Sequence, residues 1–272
     1  MKFTKMNGTG NDFVVIEDLE NQINNTGELA KKLCDRRFGI GGDGILLVRK
    51  SSKADIAMEI INSDGSYASM CGNGIRCFAK YAYENGLVKK EDMTIDTGDG
   101  VKIAILEIKG SKVVSITINM GFPSFEPSVI PALSKEYIIN KNIKANDKEY
   151  LINTILMGVP HSVIFGKLEG FHVTEGKAIE KYDLYPQGTN VNFCEVVDEN
   201  NIRVKTWERG AGATLACGTG CCASAVISNY LGYTNKMVNV EIPGGRLTVE
   251  ITNEGILMTG PAEVNFIGEV KI

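Results

Sequence analysis

The segment MCGNGIRCFAKY, at 70–81, decides the fold, because it places a cysteine and two glycines directly before an apolar, helix-forming run. The segment ACGTGCCASAVI, at 216–227, repeats this arrangement near the other end of the chain. Cys-Gly-x-Gly therefore begins a predicted helix twice, at Cys71 and at Cys217. A motif that recurs with its helix suggests that a whole domain is duplicated.

The surroundings of the two cysteines also match when the first is shifted by 217 − 71 = 146 residues. Downstream, TIDTGDGVKIAI (94–105) falls on VEIPGGRLTVEI (240–251), and both read as hairpins with a glycine-rich turn. Upstream, MNGTGNDFVV (6–15) and MGVPHSVIF (157–165) both place a glycine-bearing loop before an apolar strand, at a shift of about 150. The repeat predicts two copies of one domain of ordinary size.

Short runs rich in valine and isoleucine, bounded by turn residues, predict a strand-dominated α+β fold. Each half is expected to contain one long helix, and the repeat predicts that the two halves are alike. The predicted domains are 1–118, completed by 263–272, and 119–262. Three helices are predicted, at 26–37, 73–85 and 220–230.

Composition excludes several classes of protein. The 272 residues are 43% hydrophobic and carry a formal net charge of −4, so no basic surface for nucleic acid is expected. No apolar run approaches the length of about 20 residues that spans a bilayer, and the N-terminus lacks a secretory signal pattern. Seven cysteines, an odd number, suit a reducing compartment, so a cytoplasmic location is expected.

A cysteine at a helix N-terminus can do chemistry. The first backbone N–H groups of a helix lack intrahelical partners and attract an anion, and the same position favours a thiolate. Two such segments in two similar domains offer a carboxylate site with a thiol on each side. One thiol could remove a proton from the carbon beside the carboxylate and the other could return one to the opposite face. This arrangement indicates a two-base racemase or epimerase of an amino acid.

Other interpretations of these motifs stay open at this point. Five cysteines are expected to be ordinary core residues: Cys34, Cys77, Cys194, Cys221 and Cys222. The Cys-x5-Cys spacing within CGNGIRC is unusual for zinc and no second pair follows, so no metal is expected. GIGGDG, at 39–44, is either a tight turn before a strand or part of an anion-binding loop.

Over nearly its whole length the chain resembles the diaminopimelate epimerase family. The motifs that carry the resemblance are GTGNDF (8–13), NSDGSYASMCGNGIRC (62–77), MGVPH (157–161), GTNVNF (188–193) and WERGAGATLACGTG (207–220). The resemblance implies two pseudo-symmetric domains, each a small barrel-like β-sheet around a central helix, with the active site between them. It also implies interconversion of LL- and meso-diaminopimelate, a lysine and peptidoglycan precursor, without a cofactor.

The resemblance further implies roles for individual residues. Cys71 and Cys217 are expected to be the two catalytic bases, and His161 and Glu208 to tune the thiols. The expected substrate-binding residues are Asn11, Asn62, Gly72, Asn73, Asn190, Glu208, Arg209, Gly218 and Thr219. Within that set, Arg209 suits the distal carboxylate, because a guanidinium can bind it in bidentate fashion.

Two positions depart from the family pattern, namely Val159, where many members have asparagine, and Gly44, where some have glutamine. Both changes bear on recognition of the distal end of the substrate. The alternative function is racemisation of another amino acid, such as proline, by the same superfamily; a non-catalytic binding module is a further possibility. Family members are commonly dimers, so a homodimer acting on a small molecule is expected, with neither nucleic acid nor membrane as a partner.

Overall fold

The computed structural model describes residues 1–271, which form two compact units. Unit 1 comprises Met1–Asn119 and the chain from Thr259 onward, and unit 2 is the continuous segment Met120–Met258. No helix in this part of the chain is long and apolar enough to cross a membrane.

Unit 1 begins with eight strands and two helices. In chain order these are β1 (Lys2–Gly8), β2 (Asn11–Glu17), α1 (Thr26–Cys34), β3 (Gly44–Arg49), β4 (Ile56–Asn62), β5 (Tyr67–Ala68), α2 (Gly72–Glu84), β6 (Asp92–Thr97), β7 (Gly100–Lys109) and β8 (Lys112–Asn119).

Unit 2 follows with the same kinds of element. These are β9 (Lys141–Ala145), β10 (Lys148–Met157), β11 (Val159–Phe165), α3 (Gly176–Glu180), β12 (Asn190–Asp198), β13 (Asn201–Glu208), β14 (Gly212–Thr214), α4 (Gly218–Tyr230), β15 (Met237–Ile242), β16 (Gly245–Thr252) and β17 (Gly255–Gly260). Two single 3-10 turns, Leu168–Gly170 and Val173–Glu175, precede α3. The chain returns to unit 1 within β17, and β18 (Glu263–Glu269) then pairs antiparallel with β1.

The two units share one strand order, which confirms the pseudo-symmetry predicted from the repeat. In unit 1, β1 to β4 pair in sequence as antiparallel, parallel and antiparallel, and β4 also pairs with β5 and, in parallel, with β6. In unit 2, β10 to β13 pair in the same sequence, and β13 pairs with β14 and, in parallel, with β15. Each set ends in an antiparallel hairpin, β6–β7 or β15–β16.

One long helix forms the centre of each unit. Helix α2 packs against six strands of unit 1, and α4 packs against six strands of unit 2. Ten of the thirteen residues of each helix are buried. A helix surrounded by sheet needs apolar or small residues on nearly every side, which the segments beginning at Gly72 and Gly218 supply. The barrel-like sheet around a central helix is therefore confirmed.

The hairpins after the two helices correspond at a shift of 145 residues, not at the 146 that aligns the cysteines. The turns begin with the pairs Thr97–Gly100 and Ile242–Gly245, and 245 − 100 = 145. The connection between helix and hairpin is one residue shorter in unit 2, so the predicted alignment of 94–105 with 240–251 was wrong by one residue.

Helix α1 ends at Cys34, three residues earlier than predicted. Asp35 has an extended backbone, with φ −58° and ψ 121°, and its carboxylate accepts the N–H groups of Arg37 and Phe38, each at 2.7 Å. An aspartate side chain that captures the following N–H groups replaces the next helical turn with a tight turn. The other two predicted helices each begin earlier than expected, directly after the cysteine.

Candidate active site

Cys71 is the residue that caps the N-terminus of α2. Its backbone is extended, with φ −147° and ψ 117°, and its sulfur accepts the N–H of Gly74 at 3.4 Å. A β-carbon at Gly74 would lie 3.3 Å from the Leu46 side chain and 3.4 Å from the β-carbon of Cys71. Glycine in the first turn therefore leaves room for the sulfur to fold back over the free amides of the helix.

Two of the predicted substrate-binding residues of unit 1 contact each other beside this sulfur. The Asn11 side-chain oxygen lies 3.6 Å from the sulfur of Cys71 and accepts the side-chain amide N–H of Asn73 at 3.2 Å. Asn11 comes from the start of β2, whereas Asn73 is the second residue of α2. Strand and helix together thus place two side-chain amides around the first thiol.

Arg76, which was not among the predicted site residues, is fully buried. Its guanidinium donates to the Gly72 carbonyl at 3.0 Å, to the Asn73 side-chain oxygen at 3.1 Å and to the Thr9 hydroxyl at 3.1 Å. It also donates to the Pro261 carbonyl at 3.1 Å. An arginine between the apolar residues Ile75 and Phe78 was the signal that could have identified it, because a buried guanidinium needs several acceptors.

The GIGGDG segment forms the turn before β3, which was one of its two predicted roles. Asp43 accepts the side-chain amide of Asn11 at 2.6 Å and the backbone N–H of Asp12 at 3.0 Å. Arg36 donates to both Asp43, at 2.9 Å, and Asp12, at 2.7 Å. Burial alone would raise the pKa of Asp12, but hydrogen bonds from Arg36 and Lys5 lower that pKa to about 2. Asp43, itself held by Arg36, thus fixes the side-chain amide of Asn11.

Asn62, another predicted substrate-binding residue, uses its side chain within the turn that follows β4. It ends β4, opposite Gly44 of β3, and its side chain donates to the Ser66 hydroxyl at 3.0 Å. The departure at Gly44 has a steric basis here, because a β-carbon at that position would lie 2.6 Å from the Ile61 carbonyl oxygen. A glutamine at 44 would require β4 to move.

Cys217 occupies the N-cap position of α4, also with an extended backbone, of φ −124° and ψ 103°, but its side chain does not make the capping hydrogen bond that Cys71 makes. Its sulfur lies 3.6 Å from the hydroxyl of Thr219, another predicted substrate-binding residue. A β-carbon at Gly220 would lie 3.3 Å from that sulfur. The first turn of α4 therefore resembles that of α2. The hydroxyl of Thr219 lies beside the second thiol, whereas the amides of Asn11 and Asn73 lie beside the first.

Both helix termini were expected to favour a thiolate, but the surroundings of Cys217 favour the protonated thiol. Burial, and then the negative charge of Glu208, raise the pKa of the Cys217 thiol well above its ordinary value. The hydrogen bond with Thr219 opposes this effect without outweighing it. The loss of hydration exceeds the stabilisation that a helix N-terminus gives to a negative sulfur. In this state Cys217 is a protonated thiol.

The other five cysteines are buried, as expected of core residues. Burial raises the pKa of Cys34 to about 11 and that of Cys77 to about 12, so neither is a ready nucleophile. Within residues 1–271, no group of three His, Cys, Asp or Glu side chains is arranged to hold a metal ion.

His161 lies in β11 of unit 2 and is fully buried. Its Nδ1 is 3.2 Å from the side-chain nitrogen of Asn192, and its Nε2 has no hydrogen-bond partner among the residues described. Burial, assisted by the charge of Arg209, lowers the pKa of His161 to about 3. The ring is therefore neutral at physiological pH.

Asn190, predicted to bind substrate, uses both ends of its side-chain amide to hold the backbone. Its nitrogen donates to the Pro160 carbonyl at 3.0 Å, and its oxygen accepts the backbone N–H of Arg209 at 2.8 Å. Arg209 is exposed, and its guanidinium donates to the Gln187 carbonyl at 2.8 Å. Asn190 thus fixes the turn that presents Glu208 and Arg209, beside the strand that begins at the half-buried Val159.

Known proteins of one family resemble this chain over nearly its whole length. The family model described as diaminopimelate epimerase matches residues 3–126 and 153–265. A diaminopimelate epimerase of Clostridium perfringens is 58% identical over 263 residues, which are 96% of each chain. A diaminopimelate epimerase of Caldanaerobacter subterraneus is 50% identical over 276 residues, the whole of both chains.

Solved structures with much lower identity have the same fold. A probable proline racemase from Agrobacterium radiobacter superposes with a TM-score of 0.75 at 15% identity, covering 100% of this chain and 93% of its own. A Bacillus anthracis phenazine biosynthesis protein of the PhzF family gives a TM-score of 0.71 at 16% identity, covering 100% and 99%. At such identities the likeness concerns the fold alone.

Proposed function

Because the chain belongs to the diaminopimelate epimerase family, we propose that it interconverts LL- and meso-diaminopimelate with Cys71 and Cys217 as the two acid–base groups. The observation that carries the proposal is the pair of matching helix starts. In each unit a cysteine occupies the N-cap position of the central helix, and a glycine in the first turn lies against it.

The reaction needs one group that removes the α-hydrogen as a proton and another that returns a proton to the opposite face of the same carbon. One thiolate takes the proton and becomes a thiol, while the other thiol gives its proton to the carbanion and becomes a thiolate. The raised pKa of Cys217 suits it to be the proton donor in the first turnover, with Cys71 as the base. In the reverse direction the two roles exchange.

The α-carboxylate carries the negative charge that develops when the proton leaves. Backbone N–H groups at Gly72, Asn73, Gly218 and Thr219 are the groups that would hold this carboxylate, since helix N-termini bind anions. Arg209 would bind the distal carboxylate and Glu208 the distal ammonium group. Asn62 and Asn190 would complete the binding site, with Asn190 acting chiefly through the turn that carries Arg209.

The alternative, racemisation of proline or another one-headed amino acid, is not favoured. The relatives that are 40–58% identical are all named diaminopimelate epimerase. A substrate with a single amino acid head would also leave Arg209 without an anionic partner.

The decisive experiment follows deuterium uptake at the α-carbon in deuterated water. The panel comprises LL-diaminopimelate, meso-diaminopimelate, proline, 4-hydroxyproline and lysine, and uptake with inversion is expected only for the first two. Cys71→Ser and Cys217→Ser should each lower turnover by about 10²- to 10⁴-fold, the usual contribution of a general acid or base. Cys34→Ala is the matched control, since that buried thiol has no part in the proposal. Uptake by proline, or full activity in either serine variant, would overturn the proposal.

We also infer that the enzyme is cytoplasmic and works as a homodimer, as the sequence predicts. Sedimentation velocity at micromolar concentration tests the second statement, and a single species with the mass of one chain would contradict it.

A further inference from the structure

Asn192 lies in the GTNVNF motif but is not one of the expected site residues. The side chain is fully buried in β12. Its nitrogen faces the Nδ1 of His161 at 3.2 Å and the Ser162 carbonyl oxygen at 3.3 Å, and its oxygen accepts the Thr206 hydroxyl at 2.9 Å. Both ends of this amide thus have partners inside unit 2.

The contact with Ser162 determines which way the amide of Asn192 points. A backbone carbonyl can only accept a hydrogen bond, so the NH₂ group must lie on that side. The same NH₂ group carries a second hydrogen, which is available for the Nδ1 of His161. Because an amide nitrogen donates and does not accept, Nδ1 must be the unprotonated nitrogen of the ring. The proton of the neutral imidazole then lies on Nε2.

That Nε2–H is an unsatisfied donor. It is buried, and no acceptor in the described chain reaches it. Buried polar groups are nearly always hydrogen-bonded, so an exception calls for an explanation, and a missing ligand is one. The positive charge of Arg209 contributes to the lowered pKa of His161. An anion bound by Arg209 would therefore also interact electrostatically with the His161 ring.

The position of Asn192 is also linked to the second thiol. A β-carbon at residue 220 would lie 2.4 Å from the Asn192 side-chain oxygen and 3.3 Å from the sulfur of Cys217. The side-chain amide of Asn192 therefore lies beside the first turn of α4, in space that is open because residue 220 is glycine. Thr206, Ser162 and Gly220 restrict the amide from three sides.

We propose that Asn192 is a positioning residue that holds His161 as the Nε2–H tautomer, so that His161 acts as a neutral hydrogen-bond donor to the bound anionic substrate and not as a base. The role in turnover depends on the epimerase function proposed above, whereas the tautomer does not. Nδ1 is already engaged by Asn192, and Nε2 already carries its proton, so neither nitrogen is free to take a proton from a thiol.

The tautomer can be measured directly, because the chain contains only two histidines. His172→Gln removes the exposed one and leaves a single imidazole in the ¹⁵N spectrum of histidine-labelled enzyme. We expect Nδ1 to resonate as an unprotonated nitrogen and Nε2 as a protonated one throughout pH 5–8. Addition of meso-diaminopimelate should move the Nε2 proton resonance downfield. A protonated Nδ1, or an Nε2–H that substrate leaves unchanged, would overturn the proposal.

Two substitutions separate positioning from a merely structural role. Asn192→Asp keeps the shape but replaces the donor with an acceptor, so Nδ1 should become protonated and kcat should fall at least tenfold. Thr206→Val is the matched control, since it removes the partner of the Asn192 oxygen and leaves the contact with His161. It should retain the wild-type tautomer. An unchanged tautomer in folded Asn192→Asp would refute the assignment of the tautomer. If the wild type has the expected tautomer but does not exchange the α-hydrogen of diaminopimelate, only the epimerase function is refuted.

Discussion

The carboxylate of Asp43 and the side-chain amide of Asn11 are joined by a 2.6 Å hydrogen bond in which Asn11 donates. This bond leaves the Asn11 oxygen directed at the sulfur of Cys71 and at the amide of Asn73. Arg36 in turn holds the other oxygen of Asp43 at 2.9 Å. A charged network around Asp43 therefore orients a polar side chain that lies beside the first thiol.

Asp43→Ala should lower kcat/KM by freeing the Asn11 amide to rotate. A hydrogen bond to a charged group is worth about 1.5–3 kcal/mol, which corresponds to roughly 10- to 150-fold in rate. Asp43→Asn is the matched variant, because its side-chain oxygen can still accept from Asn11, and it should keep most of the activity. Steady-state kinetics with thermal unfolding as a folding check makes the comparison. Equal activity in Asp43→Ala and wild type would show that the loop is dispensable.

Arg209→Ala should lower kcat/KM for diaminopimelate by roughly 30- to 4,000-fold. Bound substrate would bury the exposed guanidinium against its distal carboxylate, and losing one partner of a buried charge pair costs about 2–5 kcal/mol. Arg209→Lys should recover only part, because an ammonium group lacks the planar fork. Arg203→Ala is the matched control, since Arg203 pairs with Glu241 at 3.3 Å on the surface. If Arg209→Ala binds substrate as wild type does, the distal carboxylate lies elsewhere.

Glu208→Gln should make the thiol of Cys217 easier to ionise. The negative charge of Glu208 is the second cause, after burial, of the raised pKa of Cys217, so neutralising that charge lowers the pKa. Alkylation of Cys217 followed by mass spectrometry at increasing pH should therefore begin at lower pH in this variant. Glu241→Gln removes an exposed charge from the same unit and should leave the profile in place. A Cys217 profile that does not move would mean that burial alone sets this pKa.

His161 should make the protein less stable towards acid. Burial lowers the pKa of His161 to about 3 from the ordinary value of 6.5, so between these pH values the unfolded chain binds a proton that the folded chain does not. The free energy of unfolding therefore falls on acidification through this window, by at most about 1.4 kcal/mol per pH unit. Urea unfolding between pH 4.5 and 6.5 should show a shallower slope for His161→Gln. His172→Gln, at an exposed site, should keep the wild-type slope.

Local sequence patterns were sufficient to predict the two central helices and the repeat. Cysteine and glycine followed by an apolar run occur at Cys71 and at Cys217, and a helix begins directly after the cysteine in both places. The end of α1 was mispredicted because the decisive interaction is made by a side chain, Asp35, that competes with the next helical turn.

The electrostatics of the candidate site could not be predicted in the same way. The raised pKa of Cys217 depends on burial of the thiol and on the charge of Glu208, which lies at the end of β13. The burial of Arg76, and the engagement of Asn190 by two backbone groups, likewise depend on residues far away in the chain. Such contacts follow from tertiary packing, which motif spacing does not encode.

The pairing of β18 with β1 has a consequence for synthesis on the ribosome. Unit 2 is continuous in the chain, so all of its strands emerge before β18 does, whereas unit 1 must wait for β18 to complete its sheet. Until then one edge of β1 has unpaired backbone groups, and open edges invite pairing with other chains. The unit that is made first is thus finished last, and premature termination after unit 2 would release a chain with an open, aggregation-prone edge.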